Sequence, residues 1–100
     1  MTTRVAVTGD PAYGRTDRVE WVLKWHRHKY GDFTLLDAGG DGPAADAAAF
    51  MRRAGWPVEE VSRDWLFREG GATYLLAFGN ADDAVLSLAR RNGVTVGEVP

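Results

Sequence analysis

One hundred residues with a formal net charge of −2 make room for one domain and one core, and exclude a global basic field that would steer the chain to nucleic acid. The chain has no cysteine, which excludes disulfides, thiol catalysis and thiolate zinc sites. No apolar run approaches the ~18 residues that span a bilayer and no charged-then-apolar signal region opens the chain, so no membrane association and a cytoplasmic location are expected.

Arg4 to Thr8 alternates apolar and polar residues and ends at Gly9-Asp10-Pro11, a strand followed by a turn. Thr16 or Asp17 can cap a helix that runs to about Tyr30 and is stopped by Gly31-Asp32. Val19, Val22, Leu23, His26 and Tyr30 share one face of that helix, which should meet the sheet. Trp21 and Trp25, four apart, lie on the opposite side. Tryptophan is enriched at interfaces, so this pair is read as an interface, most simply of a homodimer; two half-covered, snorkelling indoles are the alternative.

Phe33 to Ala38 reads as a second strand, followed by the turn Gly39-Gly40-Asp41-Gly42 and a helix that starts at Pro43 and closes at Gly55. A helix start leaves backbone N–H groups free at the positive end of the helix dipole, and glycines let a ligand approach them. Strand, glycine turn and helix together form a common anion or nucleotide site; an ordinary ligand-free βα turn reads the same way. Asp41 is read either as a contact to a ribose hydroxyl or as the cap of this helix, and Asp46 in its first turn as a ligand contact or as a residue favoured by the dipole alone.

Val58 to Val61 is a short third strand, and Ser62 to Gly71 a loop or one helical turn. Within that loop Arg68 is the basic residue expected to reach the ligand crevice and to bind phosphate, with Arg15 and Arg63 as rivals. Thr73 to Phe78 is a near-continuous apolar run, as in a central strand buried on both faces. Asn80 is expected to cap a third helix with Asp82 and Asp83 in its first turn, Arg90 and Arg91 in its last and Gly93 after it. Thr95 to Val99 closes the chain as a fifth strand.

Alternating strands and helices imply a single three-layer α/β Rossmann-like domain over residues 1–100, with a five-stranded, mostly parallel sheet in the order 3-2-1-4-5 and helices on both faces. Ligands then bind where the strand order reverses, between Gly9-Asp10 and Gly79-Asn80, with the Gly39–Gly42 loop at the border. His26 and His28, two apart on a helix, cannot share a metal, and no hydrolase triad is present, so neither metal nor cofactor is expected.

Together these loops resemble the SMF/DprA-LOG (SLOG) superfamily, in particular its small YspA-like bacterial and phage branch. The resemblance lies in Thr8-Gly9-Asp10 at the end of the first strand, in Gly40-Asp41-Gly42-Pro43-Ala44-Ala45-Asp46 and in Asp64-Trp65, and it runs over nearly the whole chain. It implies the Rossmann-like fold and a nucleotide-type pocket, in the bacterial or, for a phage-encoded member, the host cytoplasm. The segment between the third and fourth strands is shortened to about Leu66 to Gly70, the first-loop arginine is absent, and Gly79-Asn80-Ala81-Asp82 replaces a glycine-rich loop. Those departures point to a minimal member that binds a nucleotide or nucleotide-derived ligand as a sensor, sequestering or regulatory protein. The alternatives are a nucleotide or phosphoribosyl hydrolase using Asp41, Asp46 or Asp82, a DprA-like single-stranded DNA binder, and a protein–protein module working through the tryptophan face.

Overall fold

The computed structural model describes residues 3–68 and 71–100. Eight elements follow one another: β1 (Thr3–Gly9), α1 (Thr16–Tyr30), β2 (Phe33–Asp37), α2 (Pro43–Ala54), β3 (Val58–Glu60), β4 (Tyr74–Phe78), α3 (Asp83–Arg91) and β5 (Thr95–Val99). The strands form one sheet in the order β3-β2-β1-β4-β5, and every pairing is parallel. This is the Rossmann-like arrangement expected, with the order reversing at β1.

Register sorts the side chains onto two faces. On β1 the alternation sends Val5 to one core and Ala6 to the other; on β4, Leu76 and Phe78 face one way and Leu75 and Ala77 the opposite way. The first core is closed by α1 and α2 through Val19, Val22, Leu23, Ala47, Ala48, Phe50 and Met51. The second is closed by Leu86 and Ala89 of α3 and by Trp65, Leu66, Phe67 and Ala72 from the β3–β4 connection. That connection is a run of successive turns, with Trp65 N–H donating to Ser62 O, Leu66 N–H to Arg63 O and Arg68 N–H to Trp65 O. Glu69 and Gly70 of the shortened segment lie outside the described residues.

Four local expectations need correction. The position before α1 is Arg15, which makes no side-chain cap, and Thr16 already belongs to the helix. Tyr30 does not complete the buried stripe of α1; it is 48% exposed at the helix end, while Val19, Val22, Leu23 and His26 are buried. The cap position of α2 is Gly42, so Asp41 caps nothing. Asn80 does not cap α3: Asp82 does, accepting a hydrogen bond from Ala84 N–H at 2.9 Å. Asp82 is extended at φ −65°, ψ 119° and stands two residues before the amide it holds, the usual reach of a capping aspartate.

Candidate functional site

The carboxyl ends of β1, β2 and β4 lie along one edge of the sheet, and the Gly9-Asp10, Gly39–Gly42 and Gly79-Asn80 turns follow them. The first of these is held tightly. Asp10 N–H donates to Phe78 O, and the Asp10 carboxylate accepts from Ala12 N–H at 2.9 Å, folding the chain back. A Cβ placed on Gly9 would stand 2.6 Å from Phe78 O and 2.8 Å from Pro43 Cγ. Gly9 therefore admits the start of α2 against the end of β1, a packing role where sequence suggested a ligand contact. Gly42 is similar: its φ is +65°, and a Cβ would meet Pro11 Cα at 2.8 Å. The first and second turns thus close on each other, with Pro11 between them.

Tyr13 covers the third turn. Its ring packs on Phe78 with centroids 5.6 Å apart, a Cβ on Gly79 would lie 2.9 Å from its Cδ1, and its hydroxyl donates to Pro100 O at 3.0 Å. Sequence reasoning did not single out Tyr13, although an aromatic residue between two turns at the switch point was the available signal. Beside it an open groove of about 640 Å³ is lined by Asp10, Tyr13, Gly79, Asn80, Glu98, Val99 and Pro100. Its polar groups are two carboxylates, a carboxamide and a phenol, with Glu98 reached by Arg90 at 3.4 Å. Such a lining suits hydroxyl and amino groups and repels phosphate.

Gly39 and Gly40 remain open. Their φ values are +81° and +107°; nothing lies within 4 Å of a Cβ on Gly39, and on Gly40 the neighbours are Arg63 Nη2 at 3.4 Å and Ala44 Cβ at 3.9 Å. Asp37 sets this geometry: one carboxylate oxygen accepts from Gly39 N–H at 3.0 Å and the other from Arg52 at 2.9 Å. Asp37 was not a sequence candidate, yet an aspartate two residues before a glycine is the pattern of such a turn. Behind the loop Leu35, Leu36, Ala38 and Leu66 line a cavity of only about 20 Å³, room for a single water. Any ligand at this loop lies on it, not under it.

At the start of α2, Pro43 has no N–H and Asp46 N–H already donates to Gly42 O, which leaves the amides of Ala44 and Ala45 for an outside acceptor. Asp46 is engaged elsewhere, accepting from the Thr16 hydroxyl at 3.1 Å and tying α2 to the start of α1. Asp41 is exposed. Of the three candidate arginines, Arg63 stands beside Gly40, Arg15 pairs with Asp17 at 3.4 Å, and Arg68 is exposed in the β3–β4 connection. The edge thus presents an anion-accepting half at Gly39, Gly40 and Arg63 and a hydroxyl-accepting half at Asp10, Asn80 and Glu98. Among the described residues no group of three potential ligands could hold a metal, and no helix is long and apolar enough to cross a membrane.

Set against known proteins, the chain matches no family model, no curated protein and no solved structure.

Proposed function

We propose that this chain binds a nucleotide or nucleotide-derived ligand along the carboxyl edge of β1, β2 and β4, as a minimal SLOG-type domain with a sensing, sequestering or regulatory role in the cytoplasm. The observation that carries the reading is the open Gly39-Gly40 pair, with Arg63 Nη2 3.4 Å from the Cβ position of Gly40, in front of the free amides of α2. Phosphate belongs there: the backbone approaches without a side chain in the way, and a guanidinium supplies charge-assisted hydrogen bonds. The nucleoside end belongs in the groove of Asp10, Tyr13, Asn80 and Glu98. Binding is favoured over hydrolysis because Asp46 and Asp82, two of the three candidate carboxylates, already serve helix packing and capping.

Titration calorimetry tests this with nucleoside phosphates, the parent nucleosides and inorganic phosphate. Arg63→Ala should weaken the phosphate-bearing ligands about tenfold, ~1.4 kcal/mol, and leave nucleosides unchanged. No binding of any common nucleotide to the unaltered protein would overturn the reading. Hydrolysis of a nucleoside monophosphate that vanishes in Asp41→Asn would replace it with the enzyme, and submicromolar single-strand binding at physiological salt with the DprA-like alternative.

A second reading concerns assembly. Trp21 and Trp25 are 60% and 43% exposed on the outer side of α1, where the core does not use them. Self-association through this helix is the economical use of that area, because a two-fold axis pairs the patch with itself.

A further inference from the structure

The outer side of α1 is ordered along its length. Asp17 lies in the first turn, Arg27, His28 and Lys29 in the last, and Trp21 and Trp25 between them. At about 100° per residue, Asp17, Trp21, Lys24, Trp25 and His28 fall within roughly 100° of arc, and all five are exposed. One further charge of the helix joins this face: Lys29 Nζ lies over the Trp25 ring at 4.9 Å. Glu20 is bound to Arg53 at 3.1 Å, while Arg27 is held by Asp32 at 3.0 Å and lies over the Trp56 ring at 4.3 Å. Lys24 leans back over the Phe50 ring at 5.6 Å. The face then carries one acid at the start, two indoles in the middle, the second with Lys29 over its ring, and one imidazole at the end.

Spacing fixes an alignment. The midpoint between Trp21 and Trp25 falls at Leu23, and the midpoint between Asp17 and His28 lies half a residue earlier. A two-fold axis crossing α1 at that point, with the helices antiparallel, sets Trp21 against Trp25 of the partner subunit and Asp17 against His28 of the partner subunit, each contact occurring twice. A parallel pair would instead set acid on acid and base on base. Asp17 pairs with Arg15 in a contact whose two side chains are 58% and 78% exposed, so reorienting it towards a new partner costs little. Lys24, the one residue that would meet its own copy near the axis, is already turned aside.

We infer that the chain forms an antiparallel α1–α1 homodimer centred on Leu23, with the indoles buried at its middle and an Asp17–His28 contact at each end. This rests on the homodimer reading above and adds its orientation and register. A helix of 15 residues is about 22 Å long, which limits the contact to that length, and dissociation in the micromolar range is the expected outcome.

Sedimentation equilibrium from low to high micromolar concentration decides the matter. The unaltered protein should dimerise, and Trp21→Ala with Trp25→Ala should give a monomer of unchanged circular dichroism. Asp17→Lys alone and His28→Glu alone should each weaken association about tenfold, and the two combined in one chain should restore it to within about threefold. A monomer at high micromolar concentration with both indoles solvent-quenched would overturn the homodimer and this register with it, assigning the face to a foreign partner. A dimer indifferent to both charge reversals would overturn the antiparallel α1 pairing alone and leave the homodimer standing on another surface.

Discussion

His26 is a titratable residue enclosed in the core. It is 1% exposed, enclosed by the rings of Tyr30, Phe33 and Tyr74 at 4.7, 5.2 and 4.9 Å, and among the described residues neither ring nitrogen has a hydrogen-bond partner. Burial holds its pKa below the ordinary histidine value of 6.5, so the neutral ring is the folded form. As pH falls past that value the unfolded chain takes up the proton first, and stability drops with decreasing pH until the folded ring protonates as well. Above pH 7 the contribution is fully present. Denaturant midpoints between pH 7.5 and 5 should therefore fall, with a slope of up to about 1.4 kcal/mol per pH unit from this residue, and His26→Leu should flatten that part of the profile. An unchanged slope in the variant would move the acid sensitivity to other groups. The imidazole was read from sequence as part of the buried stripe; that its nitrogens lack partners follows from Phe33 of β2 and Tyr74 of β4, which meet it from the sheet.

At the scale of the element, α3 illustrates how a helix start is chosen. Asn80 and Asp82 are both good capping residues two positions apart, and sequence alone favoured the first. Gly79 N–H donates to Val99 O and Ala81 N–H to Gly79 O, which fixes the chain in a turn through Asn80 and delays the helix to Asp83. Asp82→Ala should cost about 1 kcal/mol in equilibrium unfolding, whereas Asn80→Ala should stay within ~0.5 kcal/mol. The reverse ranking would restore Asn80 as the cap. The start of α2 was legible in a different way: Pro43 at its first turn and Gly55 in the left-handed conformation at its end are where sequence put them. What Gly42 does there was not legible, because the close approach of Pro11 comes from the preceding βα turn.

Across the whole molecule the two faces of the sheet are covered unequally. One carries α1 and α2; the other carries α3 and a run of turns in place of a crossover helix. Phe67 from those turns is 8% exposed against the second core, so the connection acts as part of the core and not as a surface loop. Phe67→Ala should cost about 3 kcal/mol by denaturant unfolding, while Trp21→Ala, measured below the dimerising concentration, should stay within ~0.5 kcal/mol. A near-neutral Phe67 variant would show that the connection yields without disturbing the sheet. By itself the sequence determined the five strands, the three helices, the parallel order 3-2-1-4-5 and the exposed tryptophan face, because hydrophobic period and turn residues act over short stretches of chain and right-handed crossovers leave few topologies. Only the tertiary structure decided which glycines stay open. Gly9, Gly42 and Gly79 are filled by Pro43, Pro11 and Tyr13 from other segments, and Gly39 and Gly40 are left beside Arg63, a choice made by packing between residues far apart in the chain.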